Sequence, residues 1–172
     1  MKYLTYIVLL FTAPVFSQET LSWNEARVSD KIALTLSRSE FDKKYKTDSL
    51  TEPHINHLCG LAEEENAKDL HYKGVTYLMN NGMLNFRKID FRKRRNMWLA
   101  FENDWFDHTT TFKSFLKSYP DAAALSEEYI DDYGEIFEMV TLLPAADKKD
   151  FEWHFFFANE KLQYIECFLY CD

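Results

Sequence analysis

Glycine and proline are scarce, with four of each among 172 residues. So few glycines leave little material for loops that cradle phosphate, and neither the P-loop nor the dinucleotide-binding glycine pattern occurs. G-x-S-x-G and H-E-x-x-H are absent too, which removes the commonest serine-hydrolase and zinc-protease signatures. Cysteine is limited to Cys59, Cys167 and Cys171. Beyond the amino-terminal run, no apolar stretch approaches the ~20 residues that a membrane-spanning helix takes. Positive charge is in deficit, with 20 basic against 28 acidic residues and a formal net charge of −8. Such a body repels nucleic-acid phosphates, so nucleic acid is not an expected partner. What the chain has in plenty is aromatic side chains, 17% of the total. Together with the shortage of glycine and proline, they argue for a packed core rather than disorder.

Met1-Lys2-Tyr3 precedes an apolar run from Leu4 to Phe16, and Ser17 then supplies a small residue before Gln18. One positive charge, about a dozen apolar residues and a small residue make a secretory signal peptide of residues 1–17, with an uncleaved anchor as the other reading. The expected location is therefore periplasmic or secreted. No cysteine lies at the cut, so lipidation is not implied. Residues 18–172 have the length of one ordinary domain. Export permits a disulfide. Cys167 and Cys171 lie on one expected strand and so stand ~13 Å apart, at ~3.3 Å per residue. A disulfide needs Cα atoms within roughly 7 Å, so any bridge uses Cys59. The preferred pair is Cys59–Cys171, which ties down the chain end; three reduced thiols are the alternative.

The closing stretch, Phe151 to Asp172, organises the rest. Phe151, Trp153, Phe155 and Phe157 share one parity, the polar Asn159–Leu162 follows, and Tyr164 to Cys171 is again apolar on both parities. Aromatic enrichment, period two and a short polar connector predict a hairpin of central strands. Upstream, Lys31–Leu36 alternates as a short strand, and Ser37-Arg38-Ser39-Glu40 has the form of a capping box for a helix over about 38–46. Residues 18–30 read as loose, with Trp23 their anchor, and 47–70 as loop or short helix. Tyr72–Met79 and Met83–Phe91 flank Asn80-Asn81-Gly82, a strong hairpin turn. A strand is expected over 96–102. Thr109–Thr111 caps a helix whose face is Phe112, Phe115, Leu116 and Tyr119. An acidic connector, 121–133, leads to a strand over 135–143.

The two parts of the chain echo one another. Phe41-x-x-x-Tyr45 recurs 74 residues on as Phe115-x-x-x-Tyr119. Val75, Tyr77 and Met79 recur 78 residues on as Trp153, Phe155 and Phe157, and Asn81, Leu84 and Phe86 as Asn159, Leu162 and Tyr164. The expected fold is α+β: an antiparallel sheet of two helix-plus-hairpin repeats, about 31–91 and 95–171, with both helices on one face. The segments Ser37–Tyr45, Cys59-Gly60, Tyr72–Phe91 and Cys171-Asp172 resemble a group of exported bacterial proteins of unknown function. The helix-then-hairpin order is similar in architecture to small periplasmic repeat modules of the β-lactamase-inhibitor-protein and outer-membrane-assembly lipoprotein type. That likeness implies binding to another protein and transfers no site residue.

Candidate chemistry is thin. His54-x-x-His57 beside Glu63–Glu65 matches no compact metal-site spacing, and no metal or other cofactor is implied. Asp104, Asp107 and His108 read as the acidic approach to a helix. Asp150, Glu152 and His154 read as a polar stripe facing water. Cys167 lies in an apolar run, which raises a thiol pKa and disfavours nucleophilic use. The clearest charged feature is the cluster Arg87, Lys88, Arg92, Lys93, Arg94 and Arg95, either a solvated hairpin end or a surface for an acidic partner. The reading is thus a non-enzymatic, inhibitor-like module binding an envelope or extracellular protein. The alternative is a small-ligand carrier or enzyme with a pocket between sheet and helices, lined by Trp98, Trp105, Tyr133 and Trp153.

Overall fold

A computed structural model describes residues 19–54, 66–102, 104–146 and 150–170. The expectations for residues 1–17, His57, Cys59, Glu63–Glu65 and Cys171 lie outside these. The first elements are β1 (Thr20–Leu21), β2 (Arg27–Val28), β3 (Ile32–Ala33), β4 (Thr35–Ser37) and helix α1 (Arg38–Asp42). Then come β5 (Ser49–Thr51), β6 (Lys68–Tyr72), β7 (Val75–Asn80), β8 (Met83–Asp90), β9 (Leu99–Ala100) and β10 (Trp105–Phe106). Helices α2 (Phe112–Ser118) and α3 (Pro120–Ala123) precede β11 (Glu127–Ile130), β12 (Ile136–Pro144), β13 (Phe151–Ala158) and β14 (Lys161–Leu169).

The result is a sheet-rich α+β fold. Strands β5-β6-β7-β8 run as one antiparallel meander and β11-β12-β13-β14 as another, and β8 pairs with β14 to join them. Short β1 adds in parallel to the end of β12, and β4 pairs with β8. A smaller sheet, β10-β9-β2-β3, lies apart from this ladder.

Alternation decides which side chains meet. Phe151, Trp153, Phe155 and Phe157 point to one side with their cross-strand partners Leu142, Val140, Ile165 and Cys167, and all are buried. The helices lie on that side. Phe41 of α1 packs at 5.4 Å from Tyr72 and 6.2 Å from Tyr77, and Phe115 of α2 at 4.9 Å from Phe155. The small sheet completes the layer through Val28, Leu99 and Phe106, the last 4.9 Å from Phe155. Helices α1 and α2 start on side-chain caps. Ser37 Oγ accepts from Glu40 N while Glu40 Oε2 accepts from Ser37 N, and Thr111 and Ser114 do the same for α2. Among the described residues, no helix is long and apolar enough to cross a membrane.

Several local expectations are amended. From residue 19 on, the stretch expected to be loose is anchored: Leu21, Trp23, Ala26 and Val28 are buried. Helix α1 ends at Asp42, short of the expected 46. The connector 47–70 holds β5 and the start of β6, because Leu70 and Tyr72 reach the core on alternate positions. Likewise β11 arises within the acidic connector. Of the strand expected over 96–102, only Leu99–Ala100 pairs, in the small sheet.

The stretch Tyr72–Met79 is two strands rather than one. Lys73 and Gly74 take φ of 48° and 82°, and the chain reverses between β6 and β7. A Cβ on Gly74 would lie 2.8 Å from the Asp90 carbonyl oxygen, whereas one on Gly82, also at positive φ, would meet nothing within 4 Å. Gly82→Ala is therefore expected to cost only the left-handed backbone strain, about 1–2 kcal/mol. Gly74→Ala should cost more, because β8 must also move. Urea denaturation of both variants checks the order, and equal losses would contradict the close approach.

Candidate functional site

The face of the large sheet opposite the helices has its own chemistry. Phe137, Met139, Phe156 and Tyr164 form a separate small cluster there. Phe156 stacks on Tyr164 at 4.2 Å between centroids, Tyr129 meets Phe156 edge-on at 5.0 Å, and His154 stacks on Phe168 at 5.0 Å. Period two explains the assembly: on β13 and β14 these rings occupy the parity that the main core leaves free.

Charges are threaded between the rings across the β8–β14 seam, where Asp90 pairs with Tyr164 and Lys88 with Glu166. Lys88 Nζ stands 3.8 Å from the Tyr164 ring centroid and 3.4 Å from Glu166 Oε2. Arg92 Nε and Nη2 donate to the two Asp90 oxygens at 3.0 and 2.9 Å, and Nη1 donates to Glu135 at 2.8 Å. The guanidinium lies 5.1 Å from Tyr164 and 5.8 Å from Phe137. These hydrogen bonds to Asp90 hold Arg92 above its ordinary pKa, so it stays charged. Burial, reinforced by Glu166, pushes the Tyr164 phenol up, and Tyr129 is raised by the same two causes. Both phenols remain neutral at physiological pH.

An open groove of about 650 Å³ runs along this seam, walled by β5 and β6 on one side and by Tyr129, Asp131 and Tyr133 on the other. His71 braces its floor, with its ring nitrogens 2.9 Å from Thr51 Oγ1 and 3.1 Å from Thr76 Oγ1. Asp69, also in the floor, accepts from the His54 amide at 3.0 Å. Further along the face, His154 Nε2 is 3.1 Å from Glu152 Oε2, and Tyr170 OH donates to the same carboxylate. Burial and the bond to Glu152 push the Tyr170 phenol up to about 12.

The six cations singled out from sequence are divided. Arg87 is buried where β8 bulges opposite Thr76 and Tyr77, donating to Phe86 O at 3.2 Å, and burial pushes its guanidinium down. Lys88 and Arg92 belong to the seam. Lys93, Arg94 and Arg95 are exposed. The four residues expected around a sheet–helix pocket also part company. Trp153 is fully buried in the core, Trp98 and Trp105 flank a surface hollow beside the small sheet, and Tyr133 stands 92% exposed at the groove. Asp107 accepts from Thr109 N at 2.7 Å and Asp104 from Tyr119 OH at 2.7 Å, so both serve the approach to α2. Among the described residues, no group of three or more His, Cys, Asp or Glu could hold a metal ion. The Asp90–Arg92–Glu135 bracket was not foreseen. Its one sequence signal is an acid two residues before an arginine at a strand end.

Compared with family models, curated proteins and solved structures, the chain matches none.

Proposed function

We propose that this chain is an exported, non-enzymatic module that binds another protein through the sheet face opposite its helices, and that it is built from two copies of one helix-plus-hairpin unit. The observation that carries the binding reading is the open groove, flanked by exposed rings and crossed by the Lys88–Glu166 and Arg92–Asp90 pairs. An open face of rings with paired charges suits a broad partner, whereas a small ligand favours an enclosed apolar cavity.

The duplication rests on matched contacts. Arg38 N donates to Gly82 O at 2.7 Å and Phe112 N to Glu160 O at 3.0 Å, at the 74- and 78-residue spacings of the sequence echo. The cap Ser37 pairs with Met83, and the cap Thr111 with Lys161, in the same way. Asn81-Gly82 and Asn159-Glu160 both turn at positive φ. Two such units brought together along β8 and β14 place the groove at their junction.

The test is capture from an envelope extract on the wild-type protein and on a Tyr133→Ser/Phe168→Ser variant, two exposed rings whose loss leaves the core intact. A protein retained by the wild type and reduced about tenfold on the variant is expected, the loss of about 1.4 kcal/mol that truncating one aromatic anchor of an interface brings. Equal retention, or a small metabolite co-purifying instead, would turn the reading to the carrier alternative.

A further inference from the structure

The two outer edges of the large sheet are unlike. β5 is followed closely by Pro53, and proline is a common guard against unwanted strand pairing. β11 has no such guard. Among the described residues it pairs only with β12, through four regular register positions without a bulge, and all four of its residues are exposed. Asp131 N donates to Glu135 O at 3.0 Å across the turn. Hydrogen-bonded and non-bonded positions alternate along an antiparallel ladder, so Glu128 and Ile130 turn their N–H and C=O groups away from β12. Ile130 and its cross-strand neighbour Ile136 remain 58% and 59% exposed beside this edge.

Charge narrows the occupant. Between Lys117 and Lys148 the sequence has eight carboxylates and no lysine, arginine or histidine. Arg92 is shared between Asp90 and Glu135, while Glu127 and Glu128 face solvent on the strand itself. A second copy of this chain laid antiparallel on the edge would bring these carboxylates towards their own counterparts, which disfavours self-pairing. A cationic strand meets no such repulsion.

We propose that β11 is a strand-addition site for an extended segment of the partner, in which two β-branched apolar residues are followed by two lysines or arginines. Laid antiparallel, that segment sets its apolar pair against Ile130 and Tyr129 and its cations against Glu128 and Glu127. Main-chain bonds to Glu128 and Ile130 provide the pairing, and the side chains provide selectivity. This rests on the binding-module reading and specifies how the partner is held.

The probe is the acetylated, amidated hexapeptide Thr-Val-Val-Lys-Lys-Thr, followed by amide exchange in the full mature protein. At saturation the Glu128 and Ile130 amides should be slowed about tenfold or more, as befits one new hydrogen bond each, while that of Tyr129, already facing β12, is unchanged. N-methylating the first valine and the first lysine should abolish the protection, and Val-Val-Glu-Glu in place of Val-Val-Lys-Lys should not bind. Equal binding of the N-methylated peptide, or binding without protection at those two amides, overturns strand addition. Partner capture that needs Phe168 yet is indifferent to Glu127→Lys/Glu128→Lys also overturns it and leaves the binding-module reading standing.

Discussion

Trp153→Ala is expected to lower the unfolding free energy by about 3–5 kcal/mol, the usual loss when a fully buried large aromatic is truncated. The indole has no exposed surface. It stacks with Trp23 at 5.7 Å and meets Phe151, Phe101 and Phe86 at 5.1, 5.5 and 6.1 Å. Its Nε1 donates to Leu21 O at 3.4 Å. One side chain therefore joins β13, the β1 segment, the end of the small sheet and β8. Domains are stable by only about 5–15 kcal/mol, so the variant should lie near the edge of folding at 37 °C. Trp153→Phe keeps most of the ring area and loses the N–H donor, and about 1–2 kcal/mol is expected. Urea denaturation followed by circular dichroism measures both. A loss below about 1 kcal/mol for Trp153→Ala would mean that the small sheet is not docked where described.

The large sheet was most legible where one rule acted alone. The alternation from Phe151 to Leu169 predicts a central hairpin, and β13 lies between β12 and β14 with both faces covered over most of its length. Ser37–Glu40 predicts a capped helix start, and both hydrogen bonds of the box are present. Failures came where two signals competed. Lys73-Gly74 turns the chain through positive φ, yet it sits in a stretch, Tyr72–Met79, whose aromatic and apolar content reads as one strand. Glu127-Glu128 is poor strand material, and it pairs because β12 offers a partner that local propensity cannot anticipate.

The site was legible only as a parity. Phe156 and Tyr164 fall on the positions opposite the main core run, which marks a second face without saying what it carries. Run length made Arg87 to Arg95 look like one basic patch, but β8 sends Arg87 inward and Lys88 outward, and the turn after it folds Arg92 back onto Asp90. The contact with Glu135 spans 43 positions, and no local pattern reports that.

Arg92→Ala should cost more than Asp90→Ala, although each removes the same pair. Asp90 retains 4% of its side-chain exposure and accepts from Arg92 N, Nε and Nη2 at 3.0, 3.0 and 2.9 Å. Arg92 is 37% exposed and has Glu135 as a second partner. Removing the carboxylate leaves a guanidinium that water and Glu135 still serve, so about 1.5–3 kcal/mol is expected for Asp90→Ala. Removing the guanidinium strands a buried carboxylate and also takes the cation from the Tyr164 and Phe137 rings, so about 3–5 kcal/mol is expected for Arg92→Ala at neutral pH. The double variant should lose less than the two single losses combined, since no charge is then left buried. Because this pair bridges β8 to the start of β12 across Tyr164, both single variants should also open the groove, seen as faster exchange of the Tyr164 amide. Equal losses from the two substitutions, or full additivity in the double variant, would mean that Asp90 is solvated and that the seam is held by its aromatic rings alone.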